Sequence, residues 1–86
     1  MIIYEEDNIQ SKEMFLENAK KAFNSVIAID PDYAYAYYAL AMAFETEENY
    51  TAAIENFEKF VTLSTEVELK NQVKAQIEYL KTKVNE

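Results

Sequence analysis

Apolar side chains recur every three or four residues along most of the chain, a spacing that places them on one face of an α-helix. This pattern predicts an all-α protein with three to four helices, at residues 9–30, 33–47, 50–63 and 66–84. Polar segments separate these stretches, and no stretch alternates apolar and polar residues as a half-buried strand would. The chain contains no glycine and one proline, so we expect long helices joined by tight polar turns.

The ends of the first two helices are predicted from the proline and from short polar residues. Asp7, Asn8 and Ser11 are three alternative N-caps for the first helix. Pro31 disfavours helical geometry at Asp30 and should therefore end that helix. We expect Pro31 to lie where the first turn of the second helix tolerates it, and Asp30 to accept a hydrogen bond from the amides that follow.

The last two helices have clearer starts. Asn49 directly precedes the apolar pattern of residues 50–63 and belongs to the preferred N-cap residues. Thr65 and Glu68 have the spacing of a capping box, in which each side chain accepts from a backbone amide at the other position. The sequence therefore predicts a capped helix start at both places.

A shift of 34 residues places the apolar pattern of the first helix on that of the third, which indicates an internal repeat. The matched pairs are Ala19 with Ala53, Phe23 with Phe57, Ile27 with Val61, and Ile29 with Leu63. Two of these pairs are identical, and both fall at positions that carry the packing. We therefore expect the first and third helices to be equivalent members of successive repeats.

With this period and these apolar positions, the chain resembles the tetratricopeptide repeat family, whose pattern runs Trp-x2-Leu-Gly-x2-Tyr, then Ala-x3-Phe, then Pro. The residues that occupy these positions, in order up to the proline, are Tyr37, Leu40, Ala41, Phe44, Ala53 and Phe57. The resemblance covers residues 19–65 and extends over residues 66–86. It implies an antiparallel helix-turn-helix fragment of an α-solenoid, in a single domain over residues 1–86.

Within that domain the resemblance implies a half-repeat helix at residues 9–30, a full helical hairpin repeat at 33–63 and a capping helix at 66–84. The physical chemistry of the matched residues agrees with this. Small side chains at Ala41 and Ala53 would let the paired helices approach closely. The larger matched side chains would then fill the space between the helices.

The chain also departs from the family pattern. Glu48 stands where many repeats turn on a glycine, Phe60 replaces a small residue, and Thr65 replaces the proline. In the upstream half repeat, a first helix would need packing residues at four positions, Ile3, Glu6, Asp7 and Gln10. Three of the four, all but Ile3, are polar. We therefore predict one full repeat with a half repeat before it.

The charge balance narrows the range of partners. Sixteen acidic residues face eight basic ones, all lysine, and the net charge is −8. Nucleic acids and anionic membrane surfaces are bound through cations, so this balance argues against both as partners. No stretch approaches the roughly 20 apolar residues of a membrane span, and the start MIIYEEDNIQ is unlike a signal peptide. We expect a cytoplasmic protein.

The residues needed for catalysis are missing from the sequence. Without cysteine or histidine the chain has no disulfide and no thiolate or imidazole metal ligand. The three serines, Ser11, Ser25 and Ser64, have no histidine to activate them. Glu45 and Glu48 have helical spacing, but they lie at a polar turn where solvent makes acid–base catalysis unfavourable. We predict no catalytic residue, no metal site and no cofactor.

A cluster of tyrosines is the most informative surface feature. Tyr35, Tyr38, Met42 and Glu45 follow one another at helical spacing, and we call them the tyrosine row. Aromatic and methionine side chains suit a protein interface, and the resemblance implies that this row lines a concave groove. The alternative is that residues 2–4 fold back and cover the row.

The composition of the tyrosine row bears on the predicted partner. Family members that bind acidic tails carry Lys, Arg or Asn along this row, whereas this chain carries Tyr, Met and Glu. We therefore expect a protein or peptide partner that is hydrophobic, neutral or basic. The predicted function is a non-enzymatic adaptor or assembly module. The alternatives are a purely structural self-association or capping segment, oligomerising through the tyrosine row or residues 66–84, and a small-molecule binder.

Overall fold

The computed structural model describes residues 4–85, with side chains from Lys12 onward. Its elements are α1 (Tyr4–Ile29), α2 (Ala34–Thr46), α3 (Tyr50–Leu63) and α4 (Val67–Val84). No strand occurs in this part of the chain, so the predicted all-α fold is confirmed. Each helix packs against the next one in sequence, and the hairpin of α2 and α3 is the most extensive pair.

The core forms where α2, α3 and α4 meet. The buried side chains of this cluster are Ala41, Ala53, Phe57, Phe60, Val73, Ile77 and Leu80. Ala41 and Ala53 are completely buried, one on each helix of the α2–α3 hairpin. Their lack of side-chain bulk allows the two backbones to approach, as was expected for these positions. Of the other packing residues, Leu40 is buried, and Tyr37 and Phe44 are half-buried against the cluster.

Helix α1 begins earlier than the sequence predicted. It starts at Tyr4, so the three alternative N-caps, Asp7, Asn8 and Ser11, all lie within the helix and that prediction is wrong. No glycine or proline interrupts the backbone between Tyr4 and Ile29, and polar residues inside a helix cost only a few tenths of a kcal/mol each. The predicted packing positions Ile3, Glu6, Asp7 and Gln10 lie outside the residues whose side chains are described.

Helix α1 also leaves apolar side chains in solvent. It has 26 residues and α2 has 13, about 39 and 20 Å, so α1 runs well past the end of α2. In the described part of the chain α1 packs against α2 alone. Phe15 is therefore 72% exposed and Ile29 86% exposed. The repeat pattern matched Ile29 with the apolar Leu63, and Phe15 lies at helical spacing from other apolar residues of α1. Both stay in solvent because no second helix of the described residues covers that side.

A lysine of α1 contacts the C-terminal end of α2. The Lys20 Nζ lies 2.9 Å from an Oε1 of Glu47 and 3.2 Å from an Oε1 of Glu17, and it stands 5.1 Å from the centre of the Phe44 ring. The hydrogen bond to Glu47, with that to Glu17, raises the pKa of Lys20 above its ordinary value, although partial burial opposes the shift. This contact links α1 to the C-cap residue of α2.

The turn between α1 and α2 differs from the prediction. Pro31 lies in the turn before α2 rather than in its first turn, and α2 has Tyr33 as an N-cap without a side-chain hydrogen bond. The prediction for Asp30 is confirmed, because its side chain accepts from the backbone N–H of Asp32, an amide that follows it in the turn, at 3.2 Å. The hydroxyl of Tyr37 donates to the carbonyl of Pro31 at 2.9 Å and holds the turn against α2.

The turn between α2 and α3 is strained at Glu48, the residue that stands where many repeats of the family have a glycine. Glu48 has φ of 63°, and no other non-glycine residue in the described range has a positive φ. The backbone N–H of Glu48 donates to the carbonyl of Glu45 at 2.9 Å, and the backbone N–H of Asn49 donates to the carbonyl of Phe44 at 2.9 Å. Together these two bonds form a Schellman motif. The predicted cap is confirmed, because the Asn49 side chain accepts from the N–H of Ala52.

The predicted capping box before α4 does not form. Glu66 is the N-cap of α4 and makes no side-chain capping bond, so Thr65 lies one residue too early to pair with Glu68. Instead, the hydroxyl of Ser64 accepts from the N–H of Glu66 at 3.1 Å. This local bond shapes the linker and shifts the helix start by one residue.

Candidate functional site

A groove runs between α2 and α4, with α3 as its floor. It exists because α2 and α4 both pack against α3 and leave a gap between themselves. Its volume is about 270 Å³. The residues that line this α2–α4 groove are Tyr38, Met42, Glu45, Phe57, Leu69, Gln72, Val73 and Gln76.

Three of the four residues in the tyrosine row line the α2–α4 groove. Tyr38 and Glu45 are half-buried in its wall, and Met42 is 49% exposed. Tyr35 does not line the groove, but it lies one helical turn before Tyr38 and is 43% exposed. The helical spacing of the row thus places three side chains together and the fourth beside them.

Ring contacts hold the aromatic part of this wall in place. The ring of Tyr38 lies 5.8 Å from that of Phe57 and 5.3 Å from that of Phe60, in edge and tilted arrangements. Tyr35 lies 6.0 Å from the same Phe60 ring and 6.1 Å from Tyr33. Since Phe57 and Phe60 are buried, Phe60 supports both tyrosines from below and Phe57 supports Tyr38 as well, which leaves few rotamers to be lost on binding.

The two walls of the α2–α4 groove are joined by one polar contact. The Nε2 of Gln76 on α4 donates to an Oε2 of Glu45 on α2 at 2.8 Å, across 31 residues of sequence. In the described part of the chain no lysine forms an ion pair with Glu45. The groove therefore has one carboxylate, hydrogen-bonded by a neutral amide.

Sequence reasoning missed the α4 wall. Leu69 and Val73 belong to the apolar stripe of α4, but Gln72 and Gln76 look like ordinary solvent-facing residues in the sequence. The one signal in the sequence is that Gln72 and Gln76 lie three residues after Leu69 and Val73, and therefore on a neighbouring part of the helix surface. The alternative in which residues 2–4 cover the tyrosine row lies outside the side chains that the structure describes.

Among the described residues no group of three or more acidic, histidine or cysteine side chains is arranged to hold a metal ion. No helix in the same region has the length and apolarity to cross a membrane.

Comparison with known proteins concerns the α2–α3 hairpin. Residues 34–66 match the family model described as tetratricopeptide repeat. No curated protein and no solved structure gave a match. Repeats of this family are in general non-catalytic and serve protein–protein interaction. The match covers α2, α3 and the linker after them, and it agrees with the packed helical hairpin and the burial of Ala41 and Ala53 in it. Residues 34–66 are therefore similar to a tetratricopeptide repeat.

Proposed function

We propose that the protein is a non-enzymatic interaction module, an adaptor or assembly domain, that binds a peptide or partner helix in the α2–α4 groove. The observation that carries this proposal is an open groove with a rigid aromatic wall. Tyr38 is held by two buried phenylalanine rings, while Met42 beside it is about half exposed. An anchored ring with an adaptable thioether next to it offers contact area at a low entropic cost.

The domain organisation follows from the same proposal. The hairpin over residues 33–63 is the repeat that carries the tyrosine row, and α4 caps it while forming the opposite wall. Helix α1 takes the place of the second helix of a preceding half repeat. All four helices then form one domain, in which α1 supports α2 from behind and leaves the α2–α4 groove open.

The partner follows from the groove's chemistry. A hydrophobic side chain would cover Met42 and the edge of Tyr38, and a neutral or basic one is compatible with Glu45. An acidic tail would bring a second carboxylate to Glu45 with no cation between them, which is unfavourable in a partly desolvated groove. We therefore favour a hydrophobic, neutral or basic segment as the partner.

A capture experiment with matched variants tests this function. The full chain is immobilised and its partners are identified from a lysate, alongside Met42→Asp in the groove and Met14→Asp, which changes a 65% exposed methionine on α1. We expect Met42→Asp to lose a specific partner that Met14→Asp retains, with both variants melting close to the wild type. Equal capture by all three proteins would contradict the proposal.

Self-association is the second candidate function, and the exposed side chains of α1 favour it. Phe15 and Ile29 lie in solvent, where a second copy of the chain could cover them. Sedimentation equilibrium at high micromolar concentration separates the two candidates. A mass that stays at 10.0 kDa eliminates self-association. A mass that doubles, together with capture of this protein alone, favours the structural role.

A further inference from the structure

We propose that the segment bound in the α2–α4 groove carries a lysine or arginine whose cation binds Glu45, next to an apolar side chain that covers Met42 and Tyr38. This inference rests on the proposed function, since it names the chemistry of that groove's ligand. It commits to a cationic partner, where the proposed function alone also allows neutral and purely hydrophobic ones.

Glu45 is a carboxylate held by a neutral partner. Its side chain is half-buried in the wall, and one carboxylate oxygen accepts from the Gln76 amide at 2.8 Å. An amide orients a carboxylate without neutralising it. A partly desolvated carboxylate whose only described partner is neutral gains free energy when a cation reaches its other oxygen, because charge-assisted hydrogen bonds are about twice as strong as neutral ones.

The charge of the α2–α4 groove comes from Glu45. Among the described residues that line it, Glu45 is the one charged residue, and the remainder are apolar, aromatic or amide side chains. Two lysines of α4, Lys74 and Lys81, line a different depression between α3 and α4 together with Glu58 and Glu78. The groove thus has a charge of −1 with no internal cation, in a chain whose net charge of −8 also attracts basic segments.

The spacing of the ligand follows from α2. Tyr38 precedes Glu45 by seven residues, about 10.5 Å along α2, and Met42 lies between them. An extended peptide covers that distance in about three residues. A basic side chain on Glu45 would therefore place an apolar side chain, about three positions away, against Tyr38 and Met42. On the facing wall, Gln72 is exposed and can hydrogen-bond the peptide backbone.

Three synthetic probes test the inference. They are fluorescein-labelled ten-residue peptides with one leucine-containing framework, in which the variable position three residues from a leucine is Arg, Gln or Glu. Binding to the full chain is measured by fluorescence anisotropy at about 0.1 M salt. We expect the Arg peptide to bind about tenfold more tightly than the Gln peptide, and the Glu peptide to bind most weakly.

Two variants assign the preference to one carboxylate. Glu45→Gln keeps the size of the side chain and an oxygen that can accept from Gln76, so the fold should be retained, and thermal melting checks this. It should reduce the Arg-over-Gln preference to less than twofold. Glu55→Gln, at an exposed position of α3 away from the groove, makes the same change in net charge and should keep the preference.

The outcomes separate this inference from the proposed function. Equal binding of the Arg and Gln peptides, or an equal loss of preference in both glutamate variants, overturns the role of Glu45 and leaves the groove's function standing. Failure of all three peptides to bind also overturns the inference. The capture experiment with Met42→Asp then decides separately whether the α2–α4 groove binds a protein at all.

Discussion

Replacing Glu48 by glycine should stabilise the protein, because this residue closes the α2–α3 turn with φ of 63°. A residue with a Cβ in this left-handed region is strained by about 1–2 kcal/mol relative to glycine. Glycine also has more conformational freedom in the unfolded chain, which offsets about 0.5–1 kcal/mol of that gain. We expect the free energy of unfolding to rise by about 1 kcal/mol in Glu48→Gly.

The expected change is large enough to measure in a domain of this size. For 60–100 residues, 1 kcal/mol corresponds to a shift in Tm of about 4–8 °C. Thermal melting by circular dichroism and urea unfolding should agree, with an unchanged m-value. The two hydrogen bonds of the Schellman motif come from backbone groups, so glycine retains both.

Glu48→Ala is the matched control. It removes the same charge and the same carboxylate as Glu48→Gly, but it keeps the Cβ that causes the strain. We expect it to melt at or below the wild-type temperature, because alanine tolerates a positive φ no better than glutamate. If both variants gain stability equally, the effect is due to charge, and the argument from backbone strain is refuted.

Three further predictions test the packing and the electrostatics. Ala53→Leu should destabilise the α2–α3 hairpin by about 1–3 kcal/mol or more through overpacking, and an unchanged urea midpoint would contradict the close helix contact. Phe57→Ala should cost about 3–5 kcal/mol, whereas Phe15→Ala should change stability by less than about 0.5 kcal/mol; comparable losses in thermal melting would place Phe15 in the core. The bond to Glu47 raises the pKa of Lys20, so its stabilising effect is complete below about pH 10.5 and is lost as the pH rises through the raised value. The difference in urea midpoint between the wild type and Lys20→Met should therefore shrink above that pH, and a constant difference would argue against the charged contact.

The apolar periodicity of the sequence was enough to predict the helices and the repeat. Helical amphipathicity is a local property, since residues three and four apart share a face wherever the helix is placed. The small residues Ala41 and Ala53, at positions matched to the family pattern, then predicted where two helices approach each other. Asn49 was recognisable as a cap because its side chain bonds to an amide only three residues away.

The same local signals were insufficient at two helix starts. Three polar residues near the start of α1 each looked like a cap, yet they lie inside a helix that nothing in the backbone interrupts. Before α4, Thr65 and Glu68 had the right spacing, but Ser64 made a competing local bond and the start moved by one residue. Capping residues are tolerated within helices and compete over one or two positions, so sequence alone leaves these boundaries open.

Apolar spacing was enough to predict α1, α2, α3 and α4, because it acts within each helix, and the resemblance to the repeat family predicted the α2–α3 hairpin. Which apolar faces are covered, and what faces the tyrosine row, depends on how the helices pack together. Phe15 is apolar and well spaced, yet it is exposed because no helix in the described part of the chain lies against that side of α1. Gln76 looks like a surface residue, yet it reaches Glu45 across 31 residues because both helices pack on α3. Such contacts depend on where helices lie relative to one another, and no periodicity along one helix contains that information.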